Sequence, residues 1–70
     1  MSFEIEITSV PDRDEIVAEI WRNDEMVAEV RRTTKGSLAL EIYSSKSSEP
    51  WLFDFHEWIS ALTEAKHRLR

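Results

Sequence analysis

The side chains with chemical potential in this chain are two histidines, a serine-rich segment and fourteen acidic residues. His56-Glu57 opens like the zinc-protease helix signature, which needs a second histidine four residues after the first. Position 60 is Ser, so the ligand pair is missing and no metal site is expected. His67 stands in a basic C-terminal run and reads as a solvated residue suited to a helix end. Ser44, Ser45, Ser47 and Ser48 lack the strained turn and companion histidine that make a serine nucleophilic. Carboxylates working as acid and base need an apolar concavity that sets their pKa values apart, and a chain of 70 residues has little room for one. No motif of catalysis remains, and the expectation is a protein without enzymatic activity and without a cofactor.

Composition narrows the function classes further. A chain of 70 residues makes a single domain, 1–70, with a modest core. The absence of cysteine rules out disulfides and thiolate metal sites and permits a reducing compartment. The opening MSFEIEITSV is not a basic segment followed by an apolar run, so no signal peptide is expected, and no stretch approaches a membrane span. A cytoplasmic location is the expectation. The net charge of −5 argues against wrapping a phosphate backbone, so nucleic acid is not the expected partner, whereas a basic protein is.

The elements that would position any binding surface are organised around Glu15 to Arg32, EIVAEIWRNDEMVAEVRR. Val17-Ala18-Glu19-Ile20 is echoed by Val27-Ala28-Glu29-Val30 across the turn signal Arg22-Asn23-Asp24, which predicts a β-hairpin. Ile16, Ala18, Ile20, Met26, Ala28 and Val30 want one buried face, so even positions must oppose even positions. A two-residue Asn23-Asp24 turn would pair Ala18 with Glu29 and bury a carboxylate. A three-residue Asn23-Asp24-Glu25 loop would set Glu19 against Glu29. A three-residue Arg22-Asn23-Asp24 loop avoids both, with its third residue left-handed, and predicts Ile20 opposite Met26, Ala18 opposite Ala28 and Ile16 opposite Val30.

Around the hairpin, Phe3, Ile5 and Ile7 alternate with polar residues as a first strand that ends near Pro11. Thr33 to Ser37 is a turn in which Gly36, the one glycine of the chain, takes a positive φ. Leu38, Leu40 and Ile42 alternate with Ala39, Glu41 and Tyr43 as a fourth strand, and Ser44 to Pro50 is a polar loop. Trp51-Leu52-Phe53 reads either as a short edge strand or as an extended lead-in. Asp54 as N-cap with Glu57 three residues on starts a helix whose apolar stripe is Phe55, Trp58, Ile59, Leu62, Ala65 and Leu69. The fold class expected is α+β: a four-stranded antiparallel β-meander with one C-terminal α-helix packed on one face.

Sorting the strands by face puts Phe3, Ile5, Ile7, Ile16, Ala18, Ile20, Met26, Ala28, Val30, Leu38, Leu40 and Ile42 under the helix. The opposite face is acidic yet carries aromatic and aliphatic residues. Trp21, Glu19, Glu29, Glu41, Tyr43, Val17 and Val27 are the expected partner-binding set, the aromatic residue as anchor and the charges for steering. Simple solvation by Glu, or mimicry of DNA phosphates, are the competing uses of such a face.

The segments IVAEIWRNDEMVAEV, LALEIY and ISALTEAKHRL together resemble small bacterial immunity proteins encoded beside secreted polymorphic toxins. They are also similar to small partner proteins of radical-SAM peptide-modifying enzymes. The resemblance covers about two-thirds of the chain. It departs where such proteins carry Asn-Gly in place of Asn23-Asp24 and a longer loop before the helix. It implies a binding protein that neutralises a toxin domain by occluding it or, in the second likeness, an accessory protein that presents a peptide. A structural homodimer through the outer face is a third expectation.

Overall fold

In a computed structural model, which describes residues 3–10 and 15–69, the chain forms four strands and one helix. β1 (Glu4–Val10), β2 (Glu15–Arg22), β3 (Glu25–Arg32) and β4 (Leu38–Ile42) make one antiparallel sheet in the order β1-β2-β3-β4, followed by α1 (Phe55–Arg68). This is the α+β meander that the alternation of side chains predicts. Most of the turn expected at 10–14 lies outside the described residues. Trp51-Leu52-Phe53 is an extended lead-in and not a strand.

The hairpin register differs from the expected one. The turn is the two-residue Asn23-Asp24, closed by Arg22 opposite Glu25, and the left-handed residue is Asn23, with φ 57°, not Asp24. Parity is then restored by a β-bulge: Ile20 pairs with Ala28 and Trp21 with Met26, leaving Val27 as the extra residue. Ala18 therefore lies opposite Val30, and neither the Ile20–Met26 pair, the Ala18–Ala28 pair nor the Ile16–Val30 pair forms. Magnitudes explain the choice. Setting Glu19 against Glu29 costs ~0.2–1 kcal/mol. The bulge lets Val27 join the buried cluster, and burying a valine contributes ~1.5–3 kcal/mol. The register also sets large against small, Ile20 on Ala28 and Val30 on Ala18, where the expected one would set two alanines face to face. Met26, paired with Trp21, moves to the outer face, and Val27 exchanges with it.

The helix starts where expected. Asp54 caps it, its Oδ2 accepting the Glu57 backbone N–H at 3.0 Å, an interaction worth ~1 kcal/mol. Its buried stripe is rotated from the expected one: Ala61, Ala65 and Leu69 are buried and Trp58 and Leu62 half-buried, while Phe55 is 70% and Ile59 43% exposed. Small residues on both sides cause the rotation. Ala18 and Ala28 in the sheet face Ala61 and Ala65 in the helix, so the backbones approach closely and the bulky residues move to the flanks. At the N-terminal flank Phe3, Phe53 and Trp58 form an aromatic wedge, with Phe3–Phe53 and Phe53–Trp58 centroids 4.9 and 5.1 Å apart.

The loop between β4 and α1 is tied down by two bonds to the hairpin and one to the end of β4. The Lys46 N–H donates to Glu25 at 2.6 Å, the Trp51 indole to the Tyr43 carbonyl at 2.8 Å and Arg22 to the Leu52 carbonyl at 3.0 Å. It thus folds back over the β2–β3 turn.

Candidate protein-binding surfaces

The outer face is built by register. Glu6 pairs with Glu19, Glu19 with Glu29 and Glu29 with Glu41, so four glutamates form one row across the whole sheet. With strands spaced 4.7–4.9 Å, the row spans ~14 Å. Such crowding is tolerable because neighbours answer part of it. The Trp21 indole N–H donates to Glu19 Oε1 at 3.0 Å. Arg31 donates to Glu41 Oε1 at 2.8 Å and stands 3.9 Å from Glu29. The Glu41 hydrogen bond is the main reason that the Arg31 guanidinium is raised above its ordinary pKa. Tyr43 is raised as well, first by burial and then by Glu29, which is also its side-chain hydrogen-bond partner. Towards β1 the row continues as Glu6, exposed, with Glu4 in the neighbouring row opposite Trp21.

The structure thus brings Glu19, Glu29, Glu41, Trp21 and Tyr43 together on one face. It places Val17 and Val27 differently: both have 0% exposure, so a partner on this face would touch neither. Val27 belongs to the core through the bulge. Val17 is sealed within the outer face in the row of Thr8, Arg31 and Ala39.

A second surface lies on the helix side. A helix about 10 Å wide covers roughly two strand spacings. α1 packs on β1, β2 and β3, and the apolar residues of β4 extend beyond it. Leu38, Leu40 and Ile42 are 37%, 45% and 57% exposed. With Val30, Ile59 and Leu62 they line or continue an open groove of ≈ 320 Å³ beside the helix. The alternation pattern had placed all three strand residues in the core. The signal that could have found this surface is width, four strands against a single helix.

His56 lines a shallow cleft on the opposite flank of the helix with Glu57, Ser60 and Glu64, all exposed. Among the described residues no group of three or more His, Asp or Glu is placed to hold a metal ion. Among the described residues no helix is long and apolar enough to cross a membrane. Comparisons with models of protein families, with curated proteins and with solved structures found no match.

Proposed function

We propose that this is a non-enzymatic protein-binding module of the immunity type, which neutralises a toxin domain by seating its acidic face on a basic cleft. The observation that carries the reading is the glutamate row Glu6–Glu19–Glu29–Glu41, held in register across all four strands. Toxins that act on nucleic acids or nucleotides need basic clefts. A ~14 Å row of carboxylates offers a complementary surface, speeds encounter and discriminates against acidic partners. Trp21, half-buried and bonded to Glu19, supplies a pre-oriented aromatic beside the row.

The test is affinity capture from the native host with the wild-type chain and with the double variant Glu6→Lys/Glu41→Lys, at low and high salt. Both substituted residues are exposed, so the fold is expected to persist. The expected outcome is a basic partner retained by the wild type, lost with the variant and weakened by salt, and inhibited in its own activity when the wild type is added back. A partner retained equally by both chains would remove the acidic face from the reading.

A further inference from the structure

We propose that β4 pairs antiparallel with β4 of a second copy of this chain, about a two-fold axis at Leu40, joining two sheets into one of eight strands. The open edge itself indicates the pairing. The Tyr43 backbone N–H donates to the Val27 carbonyl at 2.8 Å, and β4 pairs with β3 through to Leu38. Hydrogen-bonding groups alternate in direction along a strand, so Ala39, Glu41 and Tyr43 turn theirs towards β3. Leu38, Leu40 and Ile42 therefore aim their N–H and C=O groups away from the sheet. These same three residues carry the exposed apolar side chains on the helix side. Three residues of a five-residue strand thus present a row of backbone groups and a row of apolar groups together.

The strand is complementary to itself in one register. With Leu40 on the axis, Leu38 lies opposite Ile42 of the second copy at both ends and Leu40 opposite Leu40. On the acidic face each Glu41 falls opposite Ala39 of the other copy. Ala39 is small and itself pairs with Arg31, so each Glu41 lies one strand from the other copy's guanidinium. Shifting the axis to Glu41 sets two carboxylates face to face. Shifting it to Ala39 sends Ile42 beyond the partner strand, opposite Gly36. Charge and apolar matching therefore select the same alignment.

The other edge of the sheet is not available in this way. By the same alternation β1 directs the groups of Ile5 outwards, and there the Arg68 guanidinium donates to the Ile5 carbonyl at 2.9 Å. β1 also carries Glu4 and Glu6. Charges and a capped carbonyl are the usual protection of an edge, and β4 has no comparable cap among the described residues. Five residues a side form a contact below the ~800 Å² per partner of a standard interface, so the dimer is a weak one. Pairing at β4 leaves both acidic faces open on the same side of the joined sheet, so it is independent of the toxin reading and compatible with it.

Sedimentation velocity of the full chain over a hundredfold range of concentration tests the proposal, together with two variants at the axis. The wild type is expected to shift reversibly from monomer to dimer. Leu40→Lys sets two ammonium groups opposite each other and is expected to weaken association at least a hundredfold while circular dichroism stays unchanged. Since the chain has no cysteine, Leu40→Cys is a clean reporter. A hydrogen-bonded antiparallel pair spaces its Cα atoms ~5.5 Å apart, within disulfide range, so mild oxidation should give a covalent dimer. Leu52→Cys, exposed but away from the edge, should not. A wild type that stays monomeric throughout overturns the proposal. So does a dimer that survives Leu40→Lys, or equal cross-linking at positions 40 and 52.

Discussion

β1 and β4 are the two edges of one sheet, both with alternating apolar residues, set between Glu4 and Glu6 in β1 but between Ala39 and Glu41 in β4, yet only one of them is finished. β1 lies under the helix, and its outward carbonyl at Ile5 is taken by Arg68. The cleft between it and α1 is rimmed by His56, Glu57, Ser60 and Glu64. β4 extends beyond the helix, and the groove beside it is walled by Leu38, Leu40, Ile59 and Leu62. The difference teaches that alternation states which face a residue takes, while coverage of that face depends on the width and the length of what packs against it: Ile7 in β1 and Ile16 in β2 are also exposed, at 38% and 57%. A single helix covers about half of a four-stranded sheet.

Two isoleucines on the helix side give the sharpest test of this contrast. Ile20 in β2 is 0% exposed and Ile42 in β4 is 57% exposed. Ile20→Ala is expected to cost ~2–5 kcal/mol by denaturant unfolding, a large part of the total for a domain of this size. Ile42→Ala, measured in dilute solution, should cost less than ~1 kcal/mol, because most of its surface is already in water. Equal losses would mean that β4 is covered as well as β2 is.

The aromatic wedge gives the next largest effect. Trp58 stacks on Phe53 and meets Phe3 edge-on at 5.4 Å, closing the β1 end of the core. Trp58→Ala should cost about 3 kcal/mol, read as a fall in melting temperature. An unchanged melting temperature would remove the wedge from the account. Trp51 carries the cluster on to the end of β4, stacking on Phe53 and donating to the Tyr43 carbonyl, yet Leu38, Leu40 and Ile42 stay exposed.

How far these features were legible in the sequence differs from one to the next. The strands, the Asp54 cap and the left-handed Gly36 follow from local rules, and the structure has all of them. The register was not legible, because a bulge at Val27 has no local signature: it trades a Glu19–Glu29 contact for a buried valine, and that balance is settled only by the packing beneath. The helix stripe departs from its periodicity for a related reason. Periodicity marks Phe55 and Ile59 as readily as Ala61, and only the small residues of the facing sheet decide which of them it buries. On the acidic face, Trp21 and the three glutamates of the hairpin and β4 were found by parity alone, whereas the part played by Glu6 depends on the β1–β2 register.

A smaller effect is expected at alkaline pH, on the side of the sheet away from the helix. The Tyr43 phenol is raised above its ordinary value of 10.0, by burial first and then by Glu29. A group whose folded pKa lies above its unfolded one contributes stability below the unfolded value, and that stability is lost as pH climbs through the folded one. Stability should therefore decline as pH rises beyond the ordinary tyrosine range, and Tyr43→Phe should decline less over the same interval. Identical alkaline profiles would remove both the burial of the Tyr43 phenol and its link to Glu29 from the account.

The contrast between the edges is tested most directly by residue-resolved amide hydrogen exchange along β4, at dilute and at concentrated protein. In dilute solution Ala39 and Glu41, bonded to β3, should be protected, while Leu38, Leu40 and Ile42 exchange quickly. At high concentration the three even residues should gain protection and complete an unbroken run, while Ile5 and Ile7 on the opposite edge stay as they were. A β4 pattern that does not change with concentration would contradict the account, as would protection gained first along β1.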